Sequence, residues 1–227
     1  MVEKNYTIPI NEEFDKYDGC PVCRLHAALE RQNLEYIMGA AMMEPDVRIE
    51  SNAAGFCRKH YSDMLLMKNR LSLALMLESY LDELDRKFTA PKKVSRRDKG
   101  TVSSEVVRAS DGCFVCERMS GTLRKYYSNI VHLWRTEPEF REKFAKQPFF
   151  CLEHTAGLYA SAENNLPPKL LPEFAESLFT VSRKRLDVLR DEVGRFCKSF
   201  DYRFAGEPLG DAAQGVEHAI EWILGEV

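Results

Sequence analysis

Six of the seven cysteines in this chain stand three residues from another metal-competent donor. Cys20 and Cys23 form one Cys-x-x-Cys pair, and Cys113 and Cys116 form a second. Cys57 and His60 form a Cys-x-x-His pair, matched later by Cys151 and His154. Thiolate sulfur and imidazole nitrogen are the donors that zinc takes in tetrahedral sets of four. Two donors three residues apart lie on one face of a helix or at its first turn, so each pair can reach one ion. A reducing compartment disfavours disulfides, and there this spacing reads as metal-binding or catalytic.

The pairs recur in an ordered way. Asp18-Gly19-Cys20-Pro21-Val22-Cys23 returns 93 residues later as Asp111-Gly112-Cys113-Phe114-Val115-Cys116. At the same offset Glu44-Pro45 returns as Glu137-Pro138, and Arg48 as Arg141. Phe56-Cys57-Arg58-Lys59-His60 returns at offset 94 as Phe150-Cys151-Leu152-Glu153-His154. Internal repetition is the strongest organising signal a single sequence carries. Read in linear order, copy one supplies a Cys3His set from Cys20, Cys23, Cys57 and His60. Copy two supplies another from Cys113, Cys116, Cys151 and His154. The arms are separated by 33 and 34 residues, which a helix out and a segment back would fill. Four donors leave no open position for substrate water, which points to structural rather than catalytic zinc, two ions per chain. An iron–sulfur cluster is the alternative metal reading. A thioredoxin-like dithiol lacks the βαβ pattern it needs.

The repetition also separates ligands from look-alikes. His26 aligns with Met119, and His132 with Gly39. A ligand shared by both copies uses neither histidine. Cys197 has no counterpart and reads as a small buried apolar residue. Tyr126-Tyr127 and Trp134 fall at packing positions of a helix.

The elements that must position these residues are helical. Pro21 suits a first helical position, and Leu25, Leu29, Ile37 and Ala40 keep helical spacing over Val22 to Met43. Glu44-Pro45 ends that run. A short element over Asp46 to Asn52 follows, then helices over Cys57 to Lys68 and Leu71 to Phe88. The second copy predicts helices over Val115 to Arg135, Glu139 to Phe144, Cys151 to Ala162 and Pro172 to Phe200. A last helix spans Ala212 to Leu224. No alternating strand pattern occurs. The fold class is therefore all-α, with two tandem helical repeats, each built around a Cys3His metal site and related by pseudo-twofold symmetry. The expected divisions are 1–89, a linker at 90–108, 109–200, and a tail at 201–227. The stretch Pro91 to Arg108 holds Lys92, Lys93, Arg96, Arg97, Lys99 and Arg108 against Asp98 and Glu105, and reads as a mobile basic linker.

Composition narrows the function classes. Hydrophobic residues make up 44% and charged residues 30%, as in a soluble globular protein. No segment approaches the roughly 20 apolar residues of a membrane helix, and the acidic N-terminus is not a signal peptide. The expectation is a cytoplasmic protein without a membrane partner. A net charge of −3 does not make the whole chain a polyanion binder. The linker cations permit a weak, salt-dependent contact with nucleic acid. No Ser-His-Asp order, phosphate-binding glycine loop or pair of catalytic carboxylates can be defended. The reading is a binding or scaffold module with a protein partner; the alternative is a redox or iron–sulfur protein using the Cys3His sites, and the third a nucleic-acid-associated factor.

The motifs Gly-Cys-Pro-Val-Cys, Phe-Cys-Arg-Lys-His, Cys-Phe-Val-Cys and Phe-Cys-Leu-Glu-His resemble a bacterial family of unknown function with duplicated Cys-x-x-Cys and Cys-x-x-His motifs. The segment Phe196-Cys197-Lys198-Ser199-Phe200-Asp201-Tyr202-Arg203 is similar to that family's C-terminal part. The resemblance implies a bacterial intracellular origin and an all-helical build. It implies no activity.

Overall fold

The computed structural model of the chain describes residues 6–88, 111–204 and 206–225. Among them there is no strand. Ten α-helices occur: α1 (Thr7–Phe14), α2 (Pro21–Met38), α3 (Pro45–Ala54), α4 (Arg58–Leu66), α5 (Arg70–Lys87), α6 (Phe114–Thr136), α7 (Pro138–Ala145), α8 (Leu152–Asn165), α9 (Leu171–Lys198) and α10 (Gly215–Leu224). The all-α expectation holds. The proposed linker at 90–108, with Lys92, Lys93, Arg96, Arg97, Lys99 and Arg108, lies outside the described residues. No described helix is long and apolar enough to cross a membrane.

The boundaries follow local chemistry. Pro21, Pro45 and Pro138 occupy the first turns of α2, α3 and α7, where a missing N–H costs nothing. Glu44 and Glu137 precede the latter two in extended conformation, as the residue before proline must. Asn69 caps α5, its side chain accepting from the Ser72 N–H at 3.3 Å. The run expected to reach Met43 as one helix breaks at Gly39 and ends in a 3₁₀ turn, Ala40–Met43. The last helix likewise starts as a 3₁₀ turn, Gly210–Gln214, before α10. Helix α1 was not foreseen.

The described residues form two compact units. One comprises Met1–Ala27 with Thr122–Val227, the other Ala28–Gly121. Neither unit follows the linear order of the motif copies, and their boundaries fall inside α2 and α6.

In the first unit α9 packs against α7, α8 and α10, while α1 packs on α7 and α10 on α8. Its core is aromatic. Phe14 of α1 meets Phe140, Phe144 and Phe150 at ring-centroid distances of 4.8, 6.1 and 6.2 Å. Phe174 of α9 adds an edge to Trp134 at 5.0 Å. These rings are buried, and such contacts add roughly 0.5–1.5 kcal/mol per pair beyond area burial. Trp134, Tyr126 and Tyr127 are core residues, as their helical spacing predicts. In the second unit α5 packs against α3 and α4. Its buried contacts come from Leu29, Leu34, Ile37, Met38, Met64, Leu73 and Met76.

Candidate metal centres

All four motif arms use one device. Cys57 and Cys151 are the N-cap residues of α4 and α8, both with extended backbone. Their carbonyls accept the first helical hydrogen bonds, from Tyr61 at 3.0 Å and Thr155 at 2.8 Å. Cys20 and Cys113 do the same at the starts of α2 and α6, accepting from Arg24 at 3.4 Å and Glu117 at 3.0 Å. The second donor of each arm then falls three residues later, in the first helical turn. Each pair of donors thus sits at the positive end of a helix dipole, which favours thiolate. Gly19, with φ 142°, makes the turn into Cys20 that a side chain would disfavour.

The arms combine crosswise. Cys20, Cys23, Cys151 and His154 bring their donor atoms within 4.8 Å of one another in the first unit. Cys57, His60, Cys113 and Cys116 do so in the second. The linear pairing of Cys20 and Cys23 with Cys57 and His60, and of Cys113 and Cys116 with Cys151 and His154, is therefore corrected. Neither sequence repeat is built around a Cys3His site of its own. Packing decides the partner. Phe14, just before the first arm, lies against Phe150, the neighbour of Cys151, and the Gln147 amide donates to the Phe14 carbonyl at 2.7 Å. In the second unit the Phe114 N–H donates to the Gly55 carbonyl at 2.9 Å, and the Phe56 and Phe114 rings meet at 6.3 Å.

Donor distances fit one ion per cluster. In the first, His154 Nδ1 lies 3.6, 3.3 and 3.0 Å from the sulfurs of Cys20, Cys23 and Cys151, and Cys23 and Cys151 are 3.7 Å apart. In the second, His60 Nδ1 lies 3.2, 3.1 and 3.5 Å from Cys57, Cys113 and Cys116, and Cys57 and Cys116 are 4.0 Å apart. Zinc bonds of about 2.3 Å to sulfur and about 2.0 Å to nitrogen place tetrahedral donors roughly 3.5–3.8 Å apart.

The surroundings differ. All four donors of the first cluster are buried. Gly225, with φ 87°, closes over them: a Cβ there would lie 3.6 Å from the Cys23 sulfur and 3.8 Å from that of Cys151. The Trp222 indole donates to the Phe150 carbonyl at 3.1 Å and holds α10 in place. In the second cluster His60 and Cys113 are buried, Cys57 is half-buried and Cys116 exposed. His60 Nε2 contacts Glu30 Oε1 at 2.9 Å, and Lys59 Nζ contacts the same oxygen at 2.5 Å. A carboxylate behind a ligating imidazole fixes its tautomer and raises its basicity. Glu30 was missed at the sequence level; no spacing connects it to His60.

The two clusters differ in how they hold protons. Burial first, then the Cys151 sulfur, pushes Cys20 up to about 12. At Cys151 the Cys20 contact lowers the pKa, but the Cys23 sulfur and burial outweigh it and carry it to about 12. Burial and the charge of His26 lower His154 to about 4, leaving its nitrogen free to donate to a metal. In the second cluster burial would lower His60, yet Cys113, Cys57 and Glu30 raise it to about 9. Burial would raise Cys113, yet His60 and the N–H groups of Cys116 and Cys57 lower it to about 6. A metal ion at either site would supply positive charge beside these sulfurs.

His26 belongs to neither cluster; its ring stands 6.1 Å from that of His154, edge-on. His132 is likewise outside both. Cys197 is exposed rather than buried, a correction to its reading as a core residue. It sits at the C-terminal end of α9, where the sequence pattern gives no burial cue.

No curated protein matches the chain. No solved structure matches it either. A family model, described as a family of unknown function (DUF6062), matches residues 1–227, with both clusters inside the matched span. The chain belongs to that family.

Proposed function

We propose that the protein is a zinc-binding helical module in which two structural ions, each in a crossed Cys3His set, hold surfaces in shape for a protein partner. One observation carries this reading: in each unit four donors, three sulfurs and one imidazole nitrogen, converge on one point from two helix starts. Donor atoms within 4.8 Å of one another are spaced for a single ion, which favours zinc over an iron–sulfur cluster. Closed four-ligand sites stabilise folds rather than activate water. Exposed apolar side chains favour a binding role. Met43, Ile49, Leu66 and Leu71 are each more than 60% exposed in the second unit, as are Phe200 and Tyr202 in the first. Apolar exposure of this kind marks interaction surfaces when it is contiguous.

Elemental analysis of the purified protein, read with its visible spectrum, tests the proposal. The expected result is about two zinc ions per chain and no visible absorption. Iron with labile sulfide would overturn it in favour of a redox protein.

A further inference from the structure

Between the start of the first metal arm and α9 lies an open surface groove of about 360 Å³. Its walls are apolar and partly aromatic: Tyr17, Pro148, Phe149 and Val188. Its rim carries Lys184 and Arg185. Neither cation has an ion-pair partner among the described residues. The Arg185 guanidinium lies over the Phe149 ring at 5.2 Å, and its Nε is shielded from solvent without a hydrogen-bond partner. The single carboxylate in the wall, Asp18, is engaged by Arg24 at 2.8 Å. The groove therefore combines a mostly apolar, partly aromatic floor with net positive charge at its edge. Most surface arginines are solvated on all sides; this one is fixed by stacking, which lowers the entropy lost when it takes an anion.

We propose that this groove binds a small organic anion, a carboxylate or phosphate carried on a flat apolar body. The body inserts between Phe149 and Tyr17, and the anionic group takes charge-assisted hydrogen bonds from Arg185 and Lys184. Gly19 lines the same groove and precedes Cys20, so occupancy is reported at the edge of the first metal cluster.

The test is an amide NMR titration of the full chain with four probes: phenyl phosphate, benzoate, inorganic phosphate and benzyl alcohol. At least one aryl anion is expected to give saturable shifts at Gly19, Phe149 and Val188. Inorganic phosphate and benzyl alcohol, each lacking half of the recognition, bind about tenfold more weakly or worse. Which aryl anion saturates at lower concentration identifies the preferred anionic group. Arg185→Gln weakens binding about tenfold. Lys184→Glu, at an exposed position that cannot disturb the core, also weakens it and leaves metal content unchanged. The proposal is overturned if neither aryl anion saturates, if neither binds better than both inorganic phosphate and benzyl alcohol, or if both variants bind the better aryl anion as the parent does.

Discussion

At the scale of single residues, the distinction that matters is between atoms that touch the metal point and atoms that tune them. His60 faces the sulfurs through Nδ1 and Glu30 through Nε2. Glu30→Gln keeps a hydrogen-bond partner but removes the charge. It is expected to lower metal affinity at the second cluster by about 10–100-fold, leaving the first untouched. Competition with a chromophoric chelator reads this as one ion per chain released early. Protonation gives a second prediction. Cys20 and Cys151, both raised to about 12, enter the apo first cluster as thiols. In the second, partial shielding from water and then the neighbouring Cys113 and Cys57 sulfurs raise Cys116 to about 12, while His60, at about 9, carries a proton. Metal binding requires all of these groups deprotonated, so zinc uptake at neutral pH releases at least these two protons per ion at each cluster. Affinity therefore rises with pH and is lost on acidification. Calorimetric titration in two buffers of different ionisation enthalpy counts the protons; a heat independent of buffer would contradict the protonation states.

At the scale of elements, every ligand arm depends on how a helix start is held. In the first unit Tyr127 of α6 lies against Gly157, one turn beyond His154 in α8; a Cβ at Gly157 would fall 2.6 Å from the Tyr127 hydroxyl. Gly157→Ala forces that buried ring aside and is expected to destabilise the first unit by about 1–3 kcal/mol. A loss of less than a few tenths in chemical denaturation would mean that the ring moves freely. Helices were the most legible feature of the sequence. Proline at the first turns, Glu-Pro junctions and apolar spacing placed α2 to α9 to within a few residues. Two things escaped. The eight residues of α1 are too few for a periodic signal, although Phe14 is central to the aromatic core. The break at Gly39 escaped because Ala40 to Met43 continue a helix-like composition. The matching of Arg48 to Arg141 did carry structural meaning. Arg141 donates to the Arg135 carbonyl at 3.4 Å, and Arg48 donates to the carbonyl of Met42, the counterpart of Arg135, at 3.3 Å.

At the scale of the whole molecule, the eight donors that the two clusters gather could be read from the sequence, but not which four come together. The duplication itself hides the answer. Each Cys-x-x-Cys can join either Cys-x-x-His and yield the same Cys3His set, so donor count and spacing are blind to the choice. Only long-range packing, from Phe14 to Phe150 and from Phe114 to Gly55, selects the crossed pairing. Paired substitutions separate the two pairings. Cys20→Ser with Cys151→Ser removes two ligands of one cluster and is expected to leave about one zinc per chain. Cys20→Ser with Cys57→Ser damages both clusters and is expected to leave about none, since a missing thiolate abolishes a structural site. Linear pairing gives the opposite result. Structural zinc contributes on the order of 10–16 kcal/mol in small peptides, comparable to a domain's net stability of roughly 5–15 kcal/mol. The first double variant should therefore melt in two stages, the zinc-bound unit outlasting the other, because each cluster lies within one compact unit. Zinc content by thiol-reagent release, followed by thermal melting of both double variants, decides between the pairings. One zinc retained in Cys20→Ser with Cys57→Ser, and none in Cys20→Ser with Cys151→Ser, would return the linear arrangement.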